Sequence, residues 1–181
     1  MSGIDGSSSR SAGYGSSASG VKPSLAKQIF AKSAPTKVQG GTLKTFTFNS
    51  PSVDAVHVAL KTNGRPLDAD IELWQGPDNT PVKMRVYVED GSKRPFSCMV
   101  ATPRGPATIA LRNIGHMEFP LDANVVADTP DLAASTDTDE LRSEPLIIQR
   151  GALRTHLFDP MAKSIQMLLN TNGRPLNARI E

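Results

Sequence analysis

Apolar and polar residues alternate along most of this chain, and the alternation sets in at about residue 42. A period of two places successive side chains on opposite faces of an extended backbone, which is typical of half-buried β-strands. The pattern predicts seven short strands separated by Gly, Pro, Asn and Asp turns, at 43–48, 55–61, 68–74, 82–88, 96–101, 108–113 and 117–125. Strands at this spacing predict an all-β fold, an antiparallel sandwich or jelly roll.

The beginning of the chain has a different character. Residues 1–22 are rich in Gly and Ser, and we predict that this head is disordered because it cannot bury enough apolar surface to offset its ordering entropy. Residues 23–39 are predicted to form a short helix and a linker, since Leu25, Ile29 and Phe30 lie at helical spacing. A helix this short is not stable alone, so it requires a docking surface on its own domain or on a neighbour.

A six-residue motif occurs twice, since T-N-G-R-P-L is found at 62–67 and again at 171–176. The similarity continues into D-A-D-I-E after the first copy and N-A-R-I-E after the second. Such self-similarity is a sign of duplicated structural units. We expect a first β domain over 40–126, an acidic linker over 127–149, and the incomplete start of a second, similar β domain over 150–181.

Each copy of the motif contains an Asn-Gly pair, which is the strongest short signal for a β-hairpin. A type I′ turn needs positive φ at both central positions, where Asn and Gly are favoured. The motif is therefore predicted to form a hairpin turn in both copies, through Asn63, Gly64, Arg65 and Pro66 and through Asn172, Gly173, Arg174 and Pro175.

Charge is distributed unevenly although the net charge is only +2. The first forty residues and the last thirty-two are basic, and the linker between the two repeats is acidic. With only 5% aromatic residues and no concentrated basic face, the composition argues against nucleic-acid binding. No apolar stretch approaches the roughly 18 residues of a membrane span, so no membrane partner is expected.

The residues that usually carry catalysis are isolated. His57, His116 and His156 have no second ligand at metal-binding spacing, which indicates surface or strand-packing histidines. Cys98 lies in an apolar strand and is predicted to be a buried, inert thiol. Neither a phosphate-cradling glycine loop nor a G-x-S-x-G elbow occurs. We therefore expect no enzyme activity, no metal and no cofactor.

Three carboxylates, Asp68, Asp70 and Glu72, alternate along one predicted strand and so share a face. They could bind calcium or a basic partner, or they could form a solvated outer face with the apolar residues between them turned inward. The second repeat has Asn177, Arg179 and Glu181 at these positions. A change from acidic to basic is unusual for duplicated metal sites and favours charge-complementary contact between unlike domains.

Trp74 follows these carboxylates and is a candidate interface residue. Together with Tyr87 in the next strand it could form an aromatic platform for a sugar, as in carbohydrate-binding sandwiches. A tryptophan in the core or at an interface is the alternative.

The runs at 62–81, 87–96 and 102–113 resemble pyrenoid shell proteins of diatoms and related algae. The resemblance covers 40–126 and 150–181. It implies two similar β-rich domains per subunit, which self-assemble without catalysis into a sheet around the Rubisco condensate of the plastid and support carbon fixation. The implied partners are other copies of the chain and Rubisco or other pyrenoid proteins.

Compared with the family pattern, we expect that most of the second domain and a plastid transit segment are missing from these 181 residues. The alternative function is a non-catalytic sandwich module that binds a carbohydrate or a plastid protein.

Overall fold

The computed structural model describes residues 24–103, 105–133, 144–162 and 164–181. The predicted disordered head and part of the predicted acidic linker lie outside these residues. The elements in chain order are α1 (Leu25–Lys32), β1 (Thr36–Val38), β2 (Leu43–Phe48), β3 (Ala55–Lys61), β4 (Leu67–Trp74), β5 (Val82–Val88), β6 (Phe96–Ala101), β7 (Ala107–Asn113), β8 (Leu121–Ala127), α2 (Pro130–Ala133) and β9 (Leu176–Ile180).

The strands form a β-sandwich of two sheets, which confirms the predicted fold class. One sheet has the order β1-β8-β3-β6 and the other the order β2-β7-β4-β5-β9. All neighbouring strands are antiparallel except β5 and β9, which run parallel.

Alternating residues of both sheets fill the space between them. On β4 the burial alternates strictly, with Leu67, Ala69, Ile71 and Leu73 buried and the residues between them half-buried. All the remaining strands from β1 to β8 also contribute side chains to this core, among them Val38, Phe46, Val58, Val86, Val100, Ile109 and Leu121. Removal of this apolar surface from water is the main term that stabilises the sandwich.

Strand β3 is covered on both faces. Its Val56, Val58 and Leu60 face the sandwich core, and Ala59 packs beneath the two helices. Ala26 and Ile29 of α1 are each 1% exposed in this second cluster. The short helix predicted within 23–39 therefore forms, and its docking surface is its own domain.

The prediction of a hairpin at Asn63-Gly64 was wrong. Strands β3 and β4 lie in different sheets, so the segment between them crosses from one sheet to the other. The local conformation still requires glycine, because Gly64 has a φ of +71° and Gly173 has a φ of +73° in the second copy. In each copy the threonine before the Asn-Gly pair donates a hydrogen bond to the carbonyl three residues later.

One strand, β1, was not predicted, and β8 is displaced by several residues from its predicted range. The three-residue β1 is too short to show a period, and it forms because it pairs with β8. Strand β8 begins at Leu121 rather than at 117, because residues 116–119 form a turn in which Phe119 N donates to His116 O at 2.9 Å.

The second repeat contributes one strand to the described part of the chain, β9. It adds to the edge of the first repeat's five-stranded sheet, where Leu176 pairs with Val82 and Ile180 with Val86. None of the described helices is long and apolar enough to cross a membrane.

Candidate interface on the five-stranded sheet

The outer face of the five-stranded sheet carries rows of charged side chains, which we call the charged face. Because side chains alternate along each strand, β4, β7, β5 and β9 each direct one set of residues away from the core. The charged face consists of Asp68, Asp70, Glu72, Arg112, Lys83, Arg85, Asn177 and Arg179. The three predicted carboxylates therefore share one face.

Two of these carboxylates pair with the neighbouring strand. Lys83 Nζ lies 2.8 Å from Glu72 Oε1, and Arg85 Nη2 lies 3.0 Å from Asp68 Oδ2. The hydrogen bond from Lys83 and a second one from Trp74 Nε1, at 2.9 Å, lower the pKa of Glu72 below its ordinary value of 4.5. The same contact with Glu72 raises the pKa of Lys83. These pairs join β4 and β5 across the outer face of the sheet.

Asp70 occupies the centre of the charged face. It lies directly opposite Arg85 on one neighbouring strand and Arg112 on the other. Among the described residues of this face, Asp68 and Glu72 form ion pairs with β5, whereas Asp70 forms none within 4.0 Å. An acidic row on β4 thus runs between basic residues on β5 and β7.

Arg179 is on the same row of the sheet as Asp70, but the two do not meet. Arg85 of β5 lies between them, since it is opposite Asp70 on one side and Arg179 on the other. Arg179 Nη2 instead pairs with Glu181 Oε2 at 2.7 Å. Its part in an interface stays a prediction.

Trp74 and Tyr87 do not form a common aromatic platform. Tyr87 pairs with Asp68 at the start of β4, and Trp74 ends that strand six residues later. At about 3.3 Å per residue the two rings are separated by about 20 Å along the sheet. Trp74 is half-buried and donates a hydrogen bond to Glu72, so it lies next to the charged face.

The described residues contain no group of three or more His, Cys, Asp or Glu side chains that could hold a metal ion. Cys98 is half-buried against the core, and burial raises the pKa of its thiol to about 12. A thiol with so high a pKa carries almost no thiolate at neutral pH.

The repeat motif lies at the end of the sandwich, away from the charged face. The guanidinium of Arg65 stacks on the ring of Phe119 at 4.4 Å, and Gly91 N donates to Arg65 O at 3.1 Å. These contacts fix the connection between the two sheets. The motif therefore has a structural role in the first repeat.

Two buried polar residues, His57 and Asn113, make hydrogen bonds that the sequence did not predict. His57 Nε2 and Asp128 Oδ1 are joined by a hydrogen bond of 2.6 Å beneath the helices. Asn113, which is 2% exposed, donates from Nδ2 to Val38 O and to Phe119 O, both at 2.9 Å. Asp128 and Val38 are remote in sequence from the residues that they bond, so no local pattern marks these two contacts.

A family model described as diatom pyrenoid shell protein matches residues 30–181. No curated protein matches the chain. Among solved structures, a family GH115 4-O-methyl-alpha-glucuronidase with specificity for decorated arabinogalactans is similar at a TM-score of 0.37 and 13% identity, over 52% of this chain and 14% of that one. A family 16 carbohydrate binding module is similar at a TM-score of 0.28 and 14% identity, over 51% of this chain and 75% of that one. Likenesses this weak carry no argument about function.

Proposed function

Because the chain belongs to the diatom pyrenoid shell protein family, we propose that it is a structural protein that self-assembles into a sheet around the Rubisco matrix of the pyrenoid. In this role it supports carbon fixation in the plastid without catalysing a reaction itself. The observation that carries the proposal is the family match over residues 30–181, which spans both repeats.

The charged face supports the proposal because its charge pattern is self-complementary. The acidic row of β4 lies between the basic residues of β5 and β7, and adjacent strands are about 5 Å apart. Two copies that pack face to face with an offset of one strand would bring the acidic row of each against a basic row of the other. Such complementarity sets register and partner choice.

Electron microscopy of the purified protein in negative stain tests the proposal. We expect ordered sheets or tubes at low salt and weaker assembly at high salt, because the Debye length falls from about 10 Å at 0.1 M to about 3 Å at 1 M. A uniform monomer at high protein concentration would overturn self-assembly as the primary function.

The variant Asp70→Asn tests the charged face directly. We expect it to raise the protein concentration required for assembly about two- to fivefold, since one exposed ion pair contributes up to about 1 kcal/mol. Asp78→Asn is the matched control, because Asp78 is exposed in the loop between β4 and β5, off the charged face. Equal thresholds for the two variants would exclude the charged face from the contact.

A further inference from the structure

Strand β9 forms the edge of the five-stranded sheet, next to β5, and no tight turn connects these two strands. Its backbone runs parallel to β5, with Leu176 opposite Val82 and Ile180 opposite Val86. Leu176 N also donates to Pro81 O at 2.9 Å, just before β5 begins. The strand is therefore held by a ladder of contacts with β5.

The alternation of β9 matches the sheet that it joins. Leu176, Ala178 and Ile180 are half-buried, and Ile180 packs against the sandwich core. Asn177 and Arg179 are exposed on the charged face. A slip of one residue would exchange the two sets, so the edge of β5 selects this register.

The same segment of the repeat is found on both sides of β5. Strand β4 begins with L-D-A-D-I and pairs with β5 in antiparallel fashion, whereas β9 is L-N-A-R-I and pairs in parallel fashion. Both copies direct their Leu, Ala and Ile residues inward. The edge of β5 thus accepts a strand that every copy of the chain carries.

The connection to β9 leaves the strand free to reach beyond its own domain. The described residues 144–162 and 164–175 form neither helix nor strand, and nearly all of them are exposed. A segment of this length spans up to roughly 100 Å when extended. That is several times the radius of gyration of about 13 Å expected for a domain of 100 residues.

The connection also exposes large apolar side chains. Leu153 is 77% exposed, Leu157 is 103% exposed and Met161 is 83% exposed. Removing such apolar side chains from water lowers the free energy, which favours a contact that covers them. Neighbouring copies are the molecules most available to cover it once the chain assembles.

We propose that β9 of one copy adds to the β5 edge of a neighbouring copy, so that subunits are linked by strand exchange. The exchanged strand makes the same contacts that it makes within one chain, which is why swapping an element costs little. Donor strand and acceptor edge are different surfaces, so the contact is heterologous and can continue from copy to copy. The inference rests on the proposed self-assembly and names its partner, a second copy of this chain.

Disulfide cross-linking of full-length chains tests the exchange. Lys83 and Asn177 are directly opposite each other, and paired residues on adjacent strands fall within the 4.4–6.8 Å Cα separation of a disulfide. One chain carries Lys83→Cys and the other carries Asn177→Cys, both in a Cys98→Ala background. After co-refolding, assembly and mild oxidation, we expect linked dimers of unlike chains on a non-reducing gel.

A register control separates exchange from random collision. Replacing the second chain by one with Arg179→Cys shifts the thiol two residues along β9, to roughly 8 Å from the partner Cα. This pair exceeds the disulfide limit of about 7 Å, so we expect at most a trace of dimer. Equal yields for the two pairs would overturn the exchange.

A single chain that carries both Lys83→Cys and Asn177→Cys tests the opposite case, in which β9 pairs with β5 of its own chain. Only an intramolecular disulfide, with no linked chains, would then form, and strand exchange would be refuted. Ordered sheets without linked chains would leave the proposed function standing and end this inference. Linked chains without sheets would support strand exchange, and electron microscopy of the protein without cysteine substitutions would then decide the proposed function.

Discussion

At the scale of single residues, a few small and polar side chains fix the loops at one end of the sandwich. Asn113 ties the end of β1 and the 114–120 connection to β7 through its amide, and its Oδ1 accepts a hydrogen bond from Gly115 N at 2.9 Å. Gly40 is packed so tightly that a Cβ there would overlap the backbone carbonyl oxygen of His116. These residues determine how closely the loops approach.

Replacing Gly40 with Ala should therefore destabilise the protein. The added methyl group has to displace the backbone of the 114–120 connection, and overpacking of this kind costs about 1–3 kcal/mol. Urea denaturation of both proteins measures the difference. Gly41→Asn is the matched control, since Gly41 has open space around it and its φ of +73° is accessible to Asn. A free energy of unfolding that is unchanged in the Ala variant would contradict the packing.

Residue roles were partly predictable from sequence. The period-two pattern places Asp68, Asp70 and Glu72 outward and Ile71 and Leu73 inward, because alternation is a local property. The pattern could not reveal which basic residues lie opposite these carboxylates, because Lys83 and Arg112 are brought next to β4 only by the pairing of strands.

At the scale of elements, β4 and β5 are joined by backbone ladders and by the ion pairs of the charged face. The pKa of Glu72 is lowered in the folded protein, so its ionised form stabilises the fold above pH 4.5 and that stabilisation is lost as the pH falls through the lowered pKa. Since Lys83 is 50% exposed and Glu72 is 24% exposed, the contribution is below about 1 kcal/mol.

The variant Glu72→Gln should show this pH dependence. We expect it to be less stable than the natural sequence at pH 7, with the difference shrinking towards zero at pH 3. Urea titrations at the two pH values measure it, and Glu89→Gln, at an exposed position outside the charged face, is the control. A difference that persists unchanged at pH 3 would show that the ion pair is not its source.

Helix α1 contributes through one buried face. Ile29 is 1% exposed against Ala59 and Leu132, so Ile29→Ala should cost about 2–5 kcal/mol. Lys27→Ala on the exposed side is the control and should change the free energy of unfolding by less than about 0.5 kcal/mol. Thermal melts followed by circular dichroism compare them. Equal melting temperatures would mean that the helix adds nothing to the domain.

Sequence patterns predicted most elements correctly because strands and the helix carry their own periods. They did not predict β1, which contains only Thr36–Val38 and depends on β8 for its hydrogen bonds. They also suggested a hairpin at Asn63-Gly64, since the turn chemistry there is the same whether the next strand returns to one sheet or crosses to the other.

At the scale of the whole molecule, the sandwich presents one covered face and one open face. Helices α1 and α2 pack over β3 of the four-stranded sheet, whereas the charged face of the five-stranded sheet remains accessible. The sequence predicted two sheets but not their strand order. That order depends on pairings such as β3 with β8, which join residues far apart in the chain.

Strand β5 lies between two similar segments of the chain, β4 and β9, and this position has a consequence for a duplicated sequence. A gene duplication that copies a strand also copies every surface that the strand already fits. The alternating Leu, Ala and Ile of β4 matched β5 within a single repeat, and their copies in β9 match its opposite edge. A strand copied in this way keeps the inward-facing residues that matched β5, while its outward-facing residues differ, with Asn177 and Arg179 in place of Asp68 and Asp70.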